Sequence, residues 1–172
     1  MTLREKLFSF RGRLGRRDWW FLAAALLGVH LAANLLVDRL VPVSLDLEVQ
    51  NGRFVDHDLI PRWIWTSLKD IPLLWPYAAI AAKRAHDRDK AAWPTLVLLS
   101  IVTLAGWTAE FAVRALWNPD ATAFQYMLLL WVGAYFVTFI WLVGSLGLLA
   151  GSEGMNRFGP PPKSPDPAES FS

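Results

Sequence analysis

The strongest constraint on the fold is one long stretch of sequence without charge. Residues 124–150 contain no Asp, Glu, Lys or Arg. A helix rises about 1.5 Å per residue, so roughly 20 apolar residues cross the ~30 Å hydrocarbon core of a bilayer. The stretch therefore predicts a membrane-spanning helix over residues 124–150, which ends at the glycine-flanked sequence of residues 151–154.

Two further segments predict spans of similar length. Residues 19–41 carry no charge until Asp38, and residues 92–117 open with Trp93-Pro94, a favourable first-turn position for proline. Basic residues precede the first segment, as in a secretory signal, but no small-residue cleavage site ends it and it is long enough to span. Composition agrees, because 54% hydrophobic residues and a positive mean hydropathy exceed what a soluble core needs.

One more predicted span, residues 63–82, is the second along the chain, and it is interrupted by charge and by proline. Lys69 and Asp70 lie near its middle, and Pro72 and Pro76 follow within the next turns. A proline inside a helix removes a backbone hydrogen bond and clashes with the preceding turn, so we expect a kinked helix here.

The loop between the first two spans has a different pattern. Between residues 42 and 60, apolar residues alternate with polar ones before Asn51-Gly52, and a short mixed run follows. Alternation with period two and an Asn-Gly pair predict a β-hairpin with a type I′ turn. A single hairpin is marginally stable in water, so we expect it to lean on the bilayer surface or on a helix end.

The placement of lysine and arginine predicts the orientation, because loops rich in these residues stay in the cytoplasm. Twelve lie on one side: Arg4, Lys6, Arg11, Arg13, Arg16, Arg17, Lys83, Arg84, Arg88, Lys90, Arg157 and Lys163. Against them stand Arg39, Arg53, Arg62 and Arg114. The prediction is an all-α integral membrane four-helix bundle over residues 1–158, with both termini in the cytoplasm and the hairpin outside. Residues 159–172 have too little apolar content to order and predict a cytoplasmic tail without fixed structure.

Three segments on the predicted cytoplasmic side resemble the signature of a known family. They are FSFRGRLGRRDWW at residues 8–20, AAKRAHDRDKAAW at residues 81–93, and GMNRFGPPP at residues 154–162. Their order and their spacing relative to the spans resemble the family called domain of unknown function 805. The resemblance implies a multi-span helical protein of the bacterial inner membrane, and it implies little about activity. The strand-like first loop is the main departure from the family.

The second of these segments contains the residues that most resemble a chemical site. His86 and Asp87 could form a general acid–base pair or part of a metal site, but no second His or carboxylate motif lies near them. We favour a structural interpretation in which Lys83 and Arg84 bind lipid phosphates and Asp87 pairs with Arg13, Arg16 or Arg157. The predicted interaction face consists of Arg13, Arg84, His86, Asp87, Asn156 and Arg157.

A second group of polar residues falls inside the predicted spans. His30, Asn34 and Asp38 recur at every fourth position and make one stripe on the first span. The predicted intramembrane cluster consists of His30, Asn34, Lys69, Asp70, Glu110 and Arg114. Such residues suggest a transport path, yet interhelical hydrogen bonding and balanced ion pairs explain them as well, and we favour the structural interpretation.

Function is the least determined property of the sequence. The chain has no cysteine, and phosphate loops, hydrolase elbows and dinucleotide fingerprints are absent, so we assign no reaction, cofactor or metal. We expect a non-enzymatic scaffold or a module that binds lipids or proteins, with anionic lipid headgroups as partners; a small transporter or channel is the alternative. A protein partner or self-association through Gly147 and Gly151 also remains open. A net charge of +2 does not favour nucleic acid.

Overall fold

A computed structural model shows a mostly helical chain. The elements are α1 (Leu3–Phe8), α2 (Arg16–Leu40), β1 (Glu48–Gln50), β2 (Arg53–Val55), α3 (Ile71–Asp87), α4 (Trp93–Leu116) and α5 (Thr122–Val143), and α5 continues into a π-helical turn, Gly144–Leu148.

The structure describes residues 1–40, 48–50, 53–55, 64–65, 67–116 and 122–162. Side chains are described in the same ranges, except at residues 48–50, 53–55, 109–116, 122–125 and 127–128. The predicted tail therefore lies outside the described residues from position 163 onward.

Two helices in the described part are long and apolar enough to cross a membrane, Arg16–Leu40 and Leu129–Leu148. They coincide with the first and fourth predicted spans. The third predicted span coincides with α4, which starts at Trp93 and has Pro94 in its first turn, where a missing N–H leaves no intrahelical bond unmade.

In the second predicted span, α3 runs from Ile71 to Asp87, and residues 64–65 and 67–68 before it are also helical. Residue 63, the expected start, lies outside the described part. Pro72 lies in its first turn, where proline fits, and Asp70 occupies the N-cap position. At the other end the helix continues through the basic pair that the sequence had placed in a loop.

Helix α3 lies at the centre of the packing. It contacts α1, α2, α4 and the π-helical turn. Its second half is buried, and the small side chains of the alanines at positions 79, 81, 82 and 85 allow the neighbouring helices to approach closely. The apolar core combines Ile80 of this helix with residues of the other elements, including Leu14, Leu26, Leu142 and Leu146.

Strands β1 and β2 pair antiparallel, with Gln50 opposite Arg53 and Glu48 opposite Val55. Residues 41–47, 51–52 and 56–60 lie outside the described part. The predicted type I′ turn and the packing of the hairpin therefore stay predictions.

The chain after α5 folds back under the helices. We call residues 151–162 the cap segment. Within it Asn156 and Gly159 pair through both backbone hydrogen bonds, and a turn between them positions Phe158. Pro162 lies close to Gly15 at the start of α2. The packed part of the chain thus extends past residue 158, the boundary that the sequence pattern indicated.

Candidate functional site

The centre of the site is the carboxylate of Asp87 at the last residue of α3. The Arg13 Nε–H donates to one carboxylate oxygen at 3.1 Å, and the Arg84 Nη1–H donates to the other. All three side chains are at least 95% buried. We call Arg13, Arg84 and Asp87 the ion cluster. Removing these charges from water is costly, so the remaining guanidinium N–H groups must also find acceptors.

Arg13 finds its other acceptors in the cap segment. One terminal nitrogen donates to the Gly154 carbonyl at 2.6 Å, and the other donates to the Ser152 carbonyl at 2.5 Å. A planar guanidinium with five donors can satisfy a carboxylate and several carbonyls at once. One side chain therefore joins the first sequence motif, the end of α3 and the cap segment.

Arg84 caps the backbone carbonyls at the end of the π-helical turn that follows α5. It donates to the carbonyls of Leu146, at 2.6 Å, and Leu149. The last carbonyls of a helix have no intrahelical partner and carry partial negative charge. Arg88 donates to the Ser145 carbonyl at 2.8 Å, and the Trp20 indole donates to the Gly147 carbonyl at 3.0 Å, so the π-helical turn is capped by side chains of two other helices.

The C-terminal end of α3 is capped in turn by the cap segment. The Ser152 backbone N–H donates to the Asp87 carbonyl at 2.7 Å, and the Ser152 hydroxyl donates to it at 3.0 Å. The Asn156 amide donates to the His86 carbonyl at 2.9 Å. These contacts explain why the third motif follows the last helix so closely.

His86 packs beside the ion cluster but does not belong to it. Its ring stacks on Phe158 at 3.8 Å between centroids, and its Nδ1 faces the Gly12 carbonyl at 3.3 Å. Burial lowers the pKa of His86, opposed by the hydrogen bond to Gly12. The Asp87 carboxylate is held by two guanidiniums rather than by this imidazole, so the two side chains do not form the His–Asp pair that general acid–base chemistry would need.

Lys83 is fully buried beneath α1. Its ammonium group donates to the Glu5 carbonyl at 2.5 Å. Burial lowers the pKa of Lys83 to about 8. Lys83 and Arg84 are thus both used inside the protein, and the lipid-phosphate contact expected of them would have to come from other basic residues.

Arg157 lies at the surface rather than in the ion cluster. Its guanidinium pairs with Asp89 at 3.2 Å and lies 4.7 Å from the Phe158 ring centroid. Among the three partners that the sequence left open for Asp87, the structure selects Arg13. It adds Arg84, whose position three residues earlier on the same helix was the signal that could have identified it.

The Gly-x-x-x-Gly pattern predicted close packing at Gly147 and Gly151, but not whether the packing occurs within one chain or between two copies. A Cβ on Gly147 would lie 2.6 Å from the Trp20 ring and 2.9 Å from the Trp19 ring. A Cβ on Gly151 would meet the Asp87 carboxylate. The Gly-x-x-x-Gly pattern therefore serves close approach within this chain.

Part of the predicted intramembrane cluster gathers around Asp70. Its carboxylate accepts from Lys69 at 2.7 Å and from the Trp107 indole at 3.1 Å, and it lies 3.0 Å from His30 Nδ1. Asn34 is half-buried on α2, one turn beyond His30.

Two members of that cluster cannot be placed. Glu110 and Arg114 belong to α4, but their side chains lie outside the described part of the chain. Among the residues that the structure does describe, no three His, Asp or Glu side chains gather as metal ligands would.

These features define a mostly helical chain in which three distant motifs meet in one buried ion cluster. The chain belongs to the family described as "Protein of unknown function (DUF805)", which matches residues 7–160. The match covers the first two motifs and residues 154–160 of the third, and the resemblance drawn from them is confirmed.

Two relatives from Escherichia coli, strains K12 and O157:H7, are each described as "Uncharacterized protein YiiR". Each is 30% identical to this chain over 161 residues, which is 92% of this chain and 89% of the relative. No solved structure matches.

Proposed function

We propose that the protein is a non-enzymatic scaffold of the bacterial inner membrane whose basic cytoplasmic surface binds anionic lipid headgroups. The proposal rests mainly on where the arginines lie. Arg13 and Arg84 are buried in the ion cluster, whereas others, such as Arg16 and Arg17, are exposed beside the apolar exterior of α2. The four-helix bundle and the cytoplasmic termini are part of the proposal.

The exterior of the long helices supports a lipid environment. In the 18-residue apolar windows of Arg16–Leu40 and Leu129–Leu148, only 6% and 17% of residues are buried. A core helix of a soluble protein would be mostly buried. Large apolar side chains such as Leu35, Leu130 and Val137 are about 70% exposed, and water does not tolerate so continuous an apolar surface.

The exposed cations support the choice of anionic lipid as partner. Four arginines near the N-terminus are exposed: Arg4 in α1, Arg11 between α1 and α2, and Arg16 and Arg17 at the start of α2. Near an anionic leaflet each basic residue contributes about 1 kcal/mol to binding. Trp20, at the same level of α2, is also exposed, as aromatic residues at a membrane boundary commonly are.

The test measures which lipids stay with the purified protein. Wild-type protein is reconstituted in vesicles of equal phosphatidylglycerol and phosphatidylcholine, extracted in mild detergent and examined by native mass spectrometry. We expect phosphatidylglycerol to predominate among the retained lipids. A variant with Arg4, Arg11, Arg16 and Arg17 all changed to Gln should lose this preference.

A matched control removes four arginines from the predicted opposite side. The variant with Arg39, Arg53, Arg62 and Arg114 changed to Gln has the same net charge as the first variant, and it should keep the preference. Equal retention of the two lipids by wild type would exclude anionic-lipid binding as the function.

A second candidate, a small transporter or channel, is favoured by the convergence on Asp70. This carboxylate brings together residues of α2 and α4 with Lys69. If it binds a transported proton or cation, Asp70→Asn should abolish uptake of that ion into proteoliposomes, while Asn34→Ala, one turn beyond His30 on α2, leaves it intact. Absence of any proton, sodium or potassium flux in wild-type proteoliposomes would remove this candidate.

A further inference from the structure

We infer that a groove beside the start of α2 binds one anionic glycerophospholipid, with its phosphate on Arg16 and Arg17 and an acyl chain along Phe21. The inference rests on the proposed function. It adds that one lipid molecule binds at one defined site on the basic surface.

The groove lies between the first residues of α2 and the cap segment. It has a volume of about 790 Å³, within the range of about 300–1,000 Å³ that small-molecule pockets occupy. Gly15, Arg16 and Arg17 form one wall, and Pro161 and Pro162 form another. The absence of a side chain at Gly15 keeps the space between these walls open.

The charge of the groove favours an anion. Its two carboxylates are already paired, Asp18 with Lys6 at 2.5 Å and Asp87 within the ion cluster. Among the described residues, no acidic side chain forms an ion pair with Arg16 or Arg17. Guanidinium groups match the geometry of phosphate oxygens and bind them through paired hydrogen bonds.

Along α2, the wall of the groove changes from a charged residue, Arg17, to an exposed apolar residue, Phe21. Arg17 and Phe21 are four residues apart on α2 and therefore share a face, with the guanidinium carbon 5.6 Å from the ring centroid. The Phe21 side chain is 64% exposed and lies on the apolar part of the helix. A cation followed along the helix by an exposed ring matches a phosphate followed by an acyl chain, and a free phosphate would leave the ring uncovered.

The experiment counts tightly held lipid by native mass spectrometry at increasing collision energy. Wild-type protein in neutral detergent with dimyristoylphosphatidylglycerol should retain one lipid. The Arg16→Gln, Arg17→Gln variant should lose affinity roughly twenty-five-fold, from about fivefold per arginine. The Arg39→Gln, Lys90→Gln variant removes the same charge at exposed positions outside the groove and should retain the lipid.

A second variant blocks the groove without changing charge, since Arg16 also donates to the Leu148 carbonyl at 3.2 Å and its loss could disturb packing. A Cβ on Gly15 would lie 3.6 Å from Pro162, an ordinary contact, so we expect the further carbons of Gly15→Leu to extend into the groove, and an unchanged thermal unfolding midpoint checks that the variant folds. It should lose the lipid. Gly28→Leu, on the same helix with nothing within 4 Å of its Cβ, should keep it.

The outcomes separate this inference from the proposed function. If both double variants weaken phosphatidylglycerol retention equally, or if Gly15→Leu retains the lipid, the single site is excluded while general binding to anionic lipid stands. If wild type shows no preference for phosphatidylglycerol, the proposed function fails as well. An equally persistent adduct with inorganic phosphate would overturn the assignment to a lipid.

Discussion

Asp87 is buried between two guanidiniums, an arrangement that stabilises a fold only when the remaining polar atoms are also bonded. Here they are, because Arg13 and Arg84 donate their other N–H groups to backbone carbonyls of the cap segment and of the end of the α5 region. The ion cluster is therefore costly to disturb at any one of its members.

The first prediction concerns the space that Asp87 occupies. In the Gly151→Ala variant the new methyl group would meet the Asp87 carboxylate, so the carboxylate must move away from its guanidinium partners. Disrupting a buried ion pair costs about 3 kcal/mol of unfolding free energy. Gly133→Ala adds a methyl group with nothing within 4 Å and should be neutral or slightly stabilising. Thermal unfolding in detergent, followed by tryptophan fluorescence, measures both, and equal midpoints would contradict the prediction.

The second prediction concerns the titration of Lys83. Its pKa is about 8 in the folded protein, below the ordinary value of 10.5, because the ammonium group is buried. Between these two values the unfolded chain binds a proton that the folded protein does not, so the free energy of unfolding should rise with pH. Below pH 8 both forms are protonated and this contribution is constant.

The comparison that isolates this effect uses two lysine variants. Lys83→Met should remove the rise in stability across this pH window, whereas Lys90→Met, at an exposed position, should retain it. The unfolding free energy is measured at several pH values from about 7.5 to about 10. Parallel profiles for wild type and Lys83→Met would show that the buried amine does not titrate in the window.

At the scale of elements, the helix ends in the described part of the chain make many polar contacts with neighbouring elements. The π-helical turn that ends the α5 region presents its carbonyls to Arg84, Arg88 and Trp20. The end of α3 presents its carbonyls to Ser152 and Asn156. Helix ends that are packed inside a protein need such partners, because their last carbonyls have none within the helix.

The third prediction compares two arginines from different motifs. In Arg84→Met, two backbone carbonyls lose their hydrogen-bond donor and the Asp87 carboxylate loses one of its two guanidinium partners. The variant should therefore lose about 3–5 kcal/mol of unfolding free energy. Arg157→Met removes an exposed ion pair with Asp89 and should cost less than about 1 kcal/mol. Chemical unfolding in detergent measures both, and similar losses would mean that burial does not decide the contribution.

At the scale of the whole molecule, the proposed orientation can be tested directly because the chain has no native cysteine. Single cysteines are introduced at Arg11, Lys90 and Gly52 in intact cells. A membrane-impermeant maleimide added to spheroplasts should label only Gly52→Cys, and the other two should react after lysis. Labelling of Lys90→Cys from outside would invert the proposed topology.

The length of the uncharged runs and the order of the basic motifs were sufficient to predict two long apolar helices and the family of this protein. The uncharged run at residues 124–150 and the run at residues 19–41 predicted the two helices that are long and apolar enough to cross a membrane. The three basic motifs identified the family. Both inferences depend on local composition and spacing, which the sequence contains in full.

The tertiary structure alone decided which charges are buried. Lysine and arginine are almost always exposed, so nothing in the sequence marks Lys83 and Arg84 as fully buried. Their burial depends on acceptors that packing supplies: the Glu5 carbonyl under α1, the carbonyls of the π-helical turn and the Asp87 carboxylate. The sequence by itself determined where helices can form, and the meeting of helix ends determined which arginines hold the protein together and which remain at its surface for a ligand.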